Sequence, residues 1–182
     1  VTVNLTFFTF DASACSSLVA AIADEMLLED VSLISVQSVE SGSVIVLLSA
    51  PPDGVDLFVF NFRSATLNAA FPQVIRVADN GKVFVPPVPI GGVMDGNRTV
   101  NGDAVLLPGA AVTGTLRVNG TLFVAAGSAV IQGTVDAQAV VLGKTGSLVV
   151  AAGGTLNCVD LGLRDGANLT AAGGVIRVAN ST

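Results

Sequence analysis

The residues able to perform acid–base or nucleophilic chemistry are few and scattered along this chain. Its 182 residues include no His, Tyr or Trp, and histidine is the commonest general base of enzymes. Lys82 and Lys144 stand alone, so neither predicts an activated serine. The glycine-rich turns lack the GxGxxG and Walker spacings that hold phosphates. The sequence therefore predicts a protein that is not an enzyme and that uses no cofactor.

Paired carboxylates are the catalytic groups of many enzymes that cleave polysaccharides. In the predicted repeat, residues 100–182, the carboxylates are those of Asp103, Asp136, Asp160 and Asp165. Asp136 and Asp160 are predicted on different strand columns of the repeat described below, and Asp165 precedes a glycine at a turn. These positions argue against a catalytic pair.

Both cysteines lie in apolar patterns. Cys15 shares one side of a predicted helix with Val19, Ile22 and Met26, and Cys158 lies among the inward residues of the repeat. These patterns favour buried free thiols, whereas a Cys15–Cys158 disulfide, within or between subunits, is the alternative that secretion would permit. Without His and without a zinc-binding spacing, no metal site is predicted.

Five Asn-x-Ser/Thr sequons are the strongest short motifs of the chain. Such sequons accept N-glycans on secreted proteins, although Asn and Thr are also common at the corners of repeats. The chain begins at Val1 without a basic and apolar leader, which is expected of a mature, processed protein. We therefore predict a secreted, extracellular glycoprotein of the cell surface. The predicted acceptors are Asn4, Asn97, Asn119, Asn168 and Asn180.

Composition limits the partners of this protein. Hydrophobic residues make up 51% of the chain and the mean hydropathy is +0.74, yet no apolar run approaches the about 20 residues that span a bilayer. Charged residues make up 12%, the net charge is -6, and the basic residues are scattered, which argues against nucleic acid. A surface so poor in charge needs glycans or burial in an assembly to remain soluble.

The C-terminal part of the chain repeats with a period near 20 residues. Equivalent blocks begin at Thr115, Thr134, Thr155 and Val175, which are 19, 21 and 20 residues apart. This is the length of one coil of a parallel β-solenoid. Each block contains three short apolar runs separated by Gly, Asn, Ala or Ser. We therefore predict a three-sided, right-handed parallel β-solenoid over residues 100–182.

Alternation within the first run of each block indicates which side chains point into the solenoid. The polar residues Arg117, Asp136, Asn157 and Arg177 are predicted to face outward. Coils stack about 4.8 Å apart, so Arg117 and Asp136 are predicted to form an exposed ion pair, which contributes at most about 1 kcal/mol. The predicted inward stacks are Leu116, Val135, Leu156 and Ile176, and Val118, Ala137, Cys158 and Val178.

The second run of each block differs from the first. Phe123 and Val141 fall on its outward side, where an isolated solenoid would carry polar groups. An aromatic residue beside a valine predicts a covered face. The predicted cover is either the N-terminal domain or another subunit.

Residues 1–78 predict an α+β domain. Residues 55–71 begin with strand propensity, but the helical spacing of Phe58 and Phe62 and a cap at Asp53 favour a helix. The predicted elements are a strand over Val1–Phe10, a helix from a cap at Asp11 or Ser13 to Glu29, a hairpin of Val31–Val39 and Ser43–Ser49 with a turn at Glu40-Ser41-Gly42, the helix over 55–71, and a strand over Val74–Val77.

A strand, a Ser-Gly turn and a second strand follow each other in Val31–Val36 and Glu40–Val46. With the βαββαβ order, this hairpin resembles the ferredoxin-like SEA modules of secreted and cell-surface proteins of protists and algae. The segment Gly42-Ser43-Val44 lacks the flanks of the SEA self-cleavage motif, so the resemblance implies no autoproteolysis. In its architecture the repeat resembles the solenoids of bactofilins and adhesins.

Residues 79–99 are predicted to be a linker between the two domains. Asp79–Lys82 is a turn pattern, and Pro86, Pro87 and Pro89 favour an extended segment close to polyproline II. The alternative is that this segment lies in a groove as an added strand.

The last block, Gly174–Val178, is as apolar as the inner blocks and no polar cap is predicted after it. An uncapped β edge pairs readily with another chain, and head-to-tail addition builds a fibre. We therefore predict a structural subunit of an extracellular glycosylated filament or appendage, with copies of itself and N-glycans as partners. The alternative is an adhesin or carbohydrate-binding module with the solenoid as a spacer. The predicted assembly surface is Phe123, Val141, Val175, Ile176 and Val178.

Overall fold

The described part of the chain is mostly strands, with few helices. It divides into two compact units, the first ending at Pro86 and the second beginning at Pro87. Among the described residues no helix is long and apolar enough to cross a membrane. The structure is a computed structural model. It describes residues 2–7, 15–40, 44–65, 74–79 and 81–180.

The strands of the first unit form one antiparallel sheet. They are β1 (Thr2–Phe7), β2 (Ser35–Glu40), β3 (Val44–Ser49), β4 (Val74–Asp79) and β5 (Lys82–Phe84). The strand order is β2-β3-β1-β4-β5, so β1 is central and pairs with both β3 and β4. The strand β5, which was not predicted, forms a hairpin with β4. Strands β2 and β5 are the edges of this sheet.

Two helices, α1 (Cys15–Glu25) and α2 (Pro52–Arg63), supply most of the described core of this unit. Ile22 of α1 and Phe58 and Phe62 of α2 are buried. Because these two phenylalanines are four residues apart, they lie on one face of α2. The predicted helical spacing of this segment is therefore confirmed for its first part.

The helix boundaries differ from the predictions. The helix α1 ends at Glu25 and not at Glu29, because Leu27 adopts a left-handed conformation with φ of 53°. The helix α2 begins at Pro52, whose missing N–H costs nothing in the first turn. Asp53 therefore lies inside α2 and is not its cap.

The predicted strand over Val31–Val39 is wrong at its start. Val31–Leu33 form a 3-10 turn, in which the Ser32 N–H donates a hydrogen bond of 2.9 Å to Asp30 Oδ1. This hydrogen bond stabilises the turn, so the strand begins only at Ser35. The helix cap at Asp11 or Ser13, the residues Ser41 and Gly42 of the predicted turn, and residues 66–71 of the second predicted helix lie outside the described residues.

The second unit is a parallel β-solenoid. Its strands stack in three columns, each of five rungs, which corresponds to about five turns. The strands are β6 (Val88–Ile90), β7 (Val93–Met94), β8 (Asn97–Val100), β9 (Ala104–Leu106), β10 (Ala111–Val112), β11 (Thr115–Ile131), β12 (Thr134–Ala151), β13 (Thr155–Leu163), β14 (Asn168–Ala172) and β15 (Val175–Val178).

The register of the strands defines the three columns. Column 1 contains residues 97–100, 115–118, 134–137, 155–158 and 175–178. Column 2 contains residues 88–90, 104–106, 122–124, 140–142 and 161–163. Column 3 contains residues 93–94, 111–112, 130–131, 149–150 and 170–171.

The predicted alternation of column 1 is confirmed. Leu116, Val135 and Leu156 are fully buried and stack in register. Arg117 and Arg177, one residue after an inward position, are exposed. The inward residues of the three columns form one continuous apolar core.

The predicted linker over residues 79–99 is wrong for most of its length. Residues 82–84 form β5, and β6, β7 and most of β8 follow, so the solenoid already begins near Val88. The first coil was missed because two of its strands have only two or three residues and because Pro89 lies within one of them. Proline is tolerated in an edge strand when its nitrogen points away from the neighbouring strand.

Candidate functional site: faces and ends of the solenoid

The outward face of column 1 carries a ladder of polar side chains. Arg117 Nε lies 3.7 Å from Asp136 Oδ2, which confirms the predicted ion pair. Asn157 Nδ2 donates a hydrogen bond of 2.7 Å to Asp136 Oδ1, and Arg177 Nη1 donates one of 3.4 Å to Asn157 Oδ1. The ladder connects four successive coils through groups at the surface, so it aligns the coils and adds little stability.

Two shallow polar depressions flank Arg117 on this face. One is lined by Asn97, Arg98, Thr99 and Thr115, and the other by residues that include Asn119 and Asp136. Hydroxyl, amide and guanidinium groups line them, which suits hydrogen bonding to polar molecules at the surface. In the described part of the chain, no group of three or more His, Cys, Asp or Glu residues lies together as a metal site would need.

The outward face of column 2 is apolar. Its outward line runs through Val105, Phe123 and Val141, which are paired in register. Val105 and Phe123 are each only 2% exposed, although neither belongs to the interior core of the solenoid. Val141, one coil further, is half-buried. The identity of the cover predicted for this face stays a prediction.

The outward face of column 3 has a mainly apolar central line, a feature that sequence reasoning missed. Its central line consists of Val93, Ala111, Val130, Val149 and Thr170, paired in register through all five rungs. Val93 is 71% exposed, and Ala111, Val130 and Val149 are partly exposed. This face is therefore accessible, in contrast to the face at Phe123.

The last coil presents apolar residues at the end of the solenoid. Among the described residues β15 pairs only with β13, and β14 pairs only with β12. Val175 is 44% exposed and Leu163 is 53% exposed, while Ile176 and Val178 are half-buried. Equivalent inward positions one coil earlier are buried. Three of the predicted assembly residues thus lie together at this end: Val175, Ile176 and Val178.

The backbone hydrogen bonds of column 1 follow a strict alternation. The N–H groups of Thr134, Thr155 and Val175 donate to carbonyls of the preceding coil. In a parallel ladder, consecutive residues bond to opposite neighbours, so the inward residues use their N–H and C=O groups toward the following coil. In β15 these inward residues are Ile176 and Val178. Their N–H and C=O groups therefore point out of the end of the solenoid.

The start of the solenoid has a different chemistry. The Val88 N–H bonds to Asp103 O, and Ile90 O accepts from the Leu107 N–H, so Pro89 lies where an N–H would point away from the sheet. In column 1 the first inward position is Arg98, which pairs with the buried Leu116 and is itself exposed. A missing donor and a charge in the inward stack both oppose the addition of a further strand at this end.

Four of the five predicted glycan acceptors lie in the solenoid unit, and all four are exposed. Asn119 Nδ2 donates a hydrogen bond of 2.8 Å to Asn101 Oδ1, and within its sequon Thr170 Oγ1 donates one of 3.1 Å to Asn168 Oδ1. Asn4 lies in β1 between two paired strands, and its side chain is outside the described residues. The exposed acceptors are Asn97, Asn119, Asn168 and Asn180.

Cys158 is a buried free thiol in the inward stack of column 1. Burial raises the pKa of this thiol, and the nearby negative charge of Asp160 raises the pKa further. Cys15 is the first residue of α1, but its side chain lies outside the described residues. Because Cys158 is free in this structure, no disulfide joins it to Cys15 within the chain, and the disulfide between subunits stays a prediction.

The carboxylates of the solenoid occupy separate places. Asp136 lies in column 1, whereas Asp160 is at the start of the column 2 strand and pairs with Ala139. Asp165 lies in a turn before Gly166, which has a φ of 86°. Asp103 Oδ1 accepts a hydrogen bond of 2.9 Å from the Thr121 N–H, a structural contact between coils.

No protein-family model, no curated protein and no solved structure matches this chain.

Proposed function

We propose that this protein is a structural subunit of an extracellular, glycosylated filament or surface appendage, in which copies associate head to tail. The observation that carries this proposal is the end of the last coil. Ile176 and Val178 combine partly exposed apolar side chains with backbone groups that point out of the solenoid. Such an edge favours the addition of a β-strand.

The difference between the two ends of the solenoid supports a directional contact. The last coil is apolar, whereas the first coil carries Pro89 on its open edge and Arg98 in its inward stack. Direct stacking of one solenoid on another would place Arg98 over Ile176 and bury an unpaired charge, which is costly. The proposed donor is therefore a strand of the next subunit's N-terminal unit.

A sheet edge of this N-terminal unit is the proposed donor. Its strand order, β2-β3-β1-β4-β5, is that expected for a ferredoxin-like βαββαβ fold with one extra strand, and we assign it to this class. The central strand β1 is already paired on both sides. An edge of this sheet thus supplies a strand without rearrangement of the unit. We also assign the solenoid a right-handed coil, the usual hand of parallel crossovers.

Glycans and secretion fit this role. Of the exposed acceptors, Asn168 is the first residue of β14 and Asn180 follows β15, so their glycans would lie at the margin of the joint. Glycans would also keep a chain with 12% charged residues soluble before assembly. The proposed role needs neither catalysis nor a cofactor.

A proline substitution at Ile176 tests the proposed joint. Proline lacks the N–H that points out of the end, while Val175 and Arg177 keep their bonds to β13. We expect Ile176→Pro to abolish filament growth, measured by light scattering and sedimentation of the purified chain. The matched control, Ile176→Val, keeps the N–H and the branched side chain and should assemble like the wild type.

Equal assembly of the proline and valine variants would overturn the proposed joint. Thermal unfolding of both variants, followed by circular dichroism, shows whether the solenoid is retained. A folded Ile176→Pro chain that stays monomeric supports the proposal.

A further inference from the structure

The outward face of column 3 is an accessible apolar strip along the solenoid. Val93, Ala111, Val130 and Val149 follow one another through four successive rungs, with Val93 71% exposed. The fifth position of the same line is Thr170, which is exposed and polar. The apolar strip thus covers the first four coils.

Charge distinguishes this strip from the other accessible face. Three of the four runs that form the strip, residues 110–113, 128–132 and 147–151, contain no charged residue, and the first run carries the exposed Asp95 at its margin. The outward line of column 1 carries Arg117, Asp136 and Arg177. The chain has a net charge of -6, so two copies repel each other in general. The three uncharged runs are the part of the surface where two copies can approach without placing like charges together.

We propose that the outward face of column 3 packs against the same face of a second copy and joins neighbouring filaments side by side. Such a contact is self-complementary, because identical strips of small apolar residues meet on two flat sheet faces. The filament part of this statement rests on the proposed function, whereas the contact between two copies does not.

The size of the strip predicts a weak contact between single subunits. Four rungs spaced about 4.8 Å apart and five residues of about 3.3 Å each give roughly 300 Å² per copy. Stable dimers bury about 800 Å² per partner. Isolated chains should therefore associate weakly. Many such contacts along two filaments would together give a high overall affinity.

Lysine substitutions on two faces of neighbouring coils test this contact. Val130→Lys places a charge in the strip, and the control Thr134→Lys places the same charge on the polar face of column 1, where the threonine is also half-buried. Both are made in the full-length Ile176→Pro chain, so that the proposed end-to-end growth is blocked. Sedimentation equilibrium is measured from low micromolar to about millimolar concentration, and circular dichroism verifies the fold.

We expect the parent and Thr134→Lys chains to gain mass reversibly with concentration, toward a dimer, and Val130→Lys to remain monomeric. A second strip variant, Val149→Lys, should repeat the loss if Val130→Lys folds poorly. A parent chain that stays monomeric throughout, or equal association of the strip and control variants, would overturn the proposal. If the proposed end-to-end joint is wrong but the strip contact is right, wild-type chains form no filaments and still dimerise through the strip.

Discussion

At the scale of single residues, corner glycines let successive coils approach each other closely. A Cβ atom at Gly133 would collide with the backbone carbonyl oxygens of Gly114 and Thr113 in the preceding coil. The equivalent corner of the first coil, Gly96, has no atom within 4 Å of such a Cβ. The same residue type therefore has different constraints at two equivalent corners.

This difference gives a direct prediction. Gly133→Ala should destabilise the solenoid by about 1–3 kcal/mol or more, because backbone atoms cannot move aside as a flexible side chain can. Gly96→Ala should leave the free energy of unfolding nearly unchanged. Denaturant unfolding of the two variants measures both values, and similar losses for both would contradict the stacked corner.

The buried thiol of Cys158 makes stability depend on pH. Its pKa is raised in the folded chain by burial and by Asp160, so the folded state binds the proton more tightly than the unfolded state does. The resulting stability is fully present below the unfolded thiol pKa of about 8.5. It is lost as the pH rises through the higher pKa of the folded state.

We therefore expect the wild-type solenoid to lose stability from about pH 8.5 upward. Cys158→Ala should remove this part of the decline, and alanine already occupies the equivalent position 137 one coil earlier. The measurement is the unfolding free energy of both chains at several pH values between 7 and 10. Parallel pH curves for the two chains would show that the thiol does not titrate as described.

At the scale of elements, the alternation of backbone bonds in β15 divides its amides into two groups. The Val175 and Ala179 N–H groups donate to the carbonyls of Gly154 and Cys158 at 2.9 Å. By the same alternation the Arg177 N–H points to β13, whereas those of Ile176 and Val178 point out of the end.

Hydrogen exchange should resolve the two groups. In the dispersed subunit we expect slow exchange at Val175 and Arg177 and fast exchange at Ile176 and Val178. On assembly the second pair should become at least about tenfold slower, because their N–H groups acquire partners. Residue-resolved exchange measured by NMR on subunits, and after a labelling pulse on filaments, provides the rates. Uniform protection along β15 in the subunit would contradict the proposed open edge.

The inner coils could be predicted because polar and apolar residues alternate strictly in column 1. Because the charged Arg117 lies between Leu116 and Val118, the two apolar residues must face the interior and the arginine must face the solvent. The first coil could not be predicted, because Arg98 occupies its inward position and breaks that pattern. Proline and glycine around it are typical of linkers as well as of short edge strands.

The end residues of the candidate site were predictable, whereas the apolar strip was not. Val175, Ile176 and Val178 follow from the repeat register alone. In column 3 the run Ala129-Val130-Ile131 is apolar at every position, so its pattern does not distinguish the inward residues from the outward Val130. Only the strand register places Val130 beside Ala111 and Val149 on the outer face.

At the scale of the whole molecule, we propose two kinds of contact between the solenoid and other copies. Its apolar end is suited to directional growth, since the opposite end carries Pro89 and Arg98. The strip of column 3 is suited to symmetric, weaker contacts between neighbours. Together these two contacts predict filaments whose two ends differ and which associate side by side.

Electron microscopy of the purified native protein, without crosslinker, tests the central claim most directly. The account predicts unbranched filaments with a repeat set by one subunit, because head-to-tail contacts do not close on themselves. Dispersed monomers at high protein concentration would contradict it, and the edge at Ile176 and Val178 would then have to be covered without a second copy.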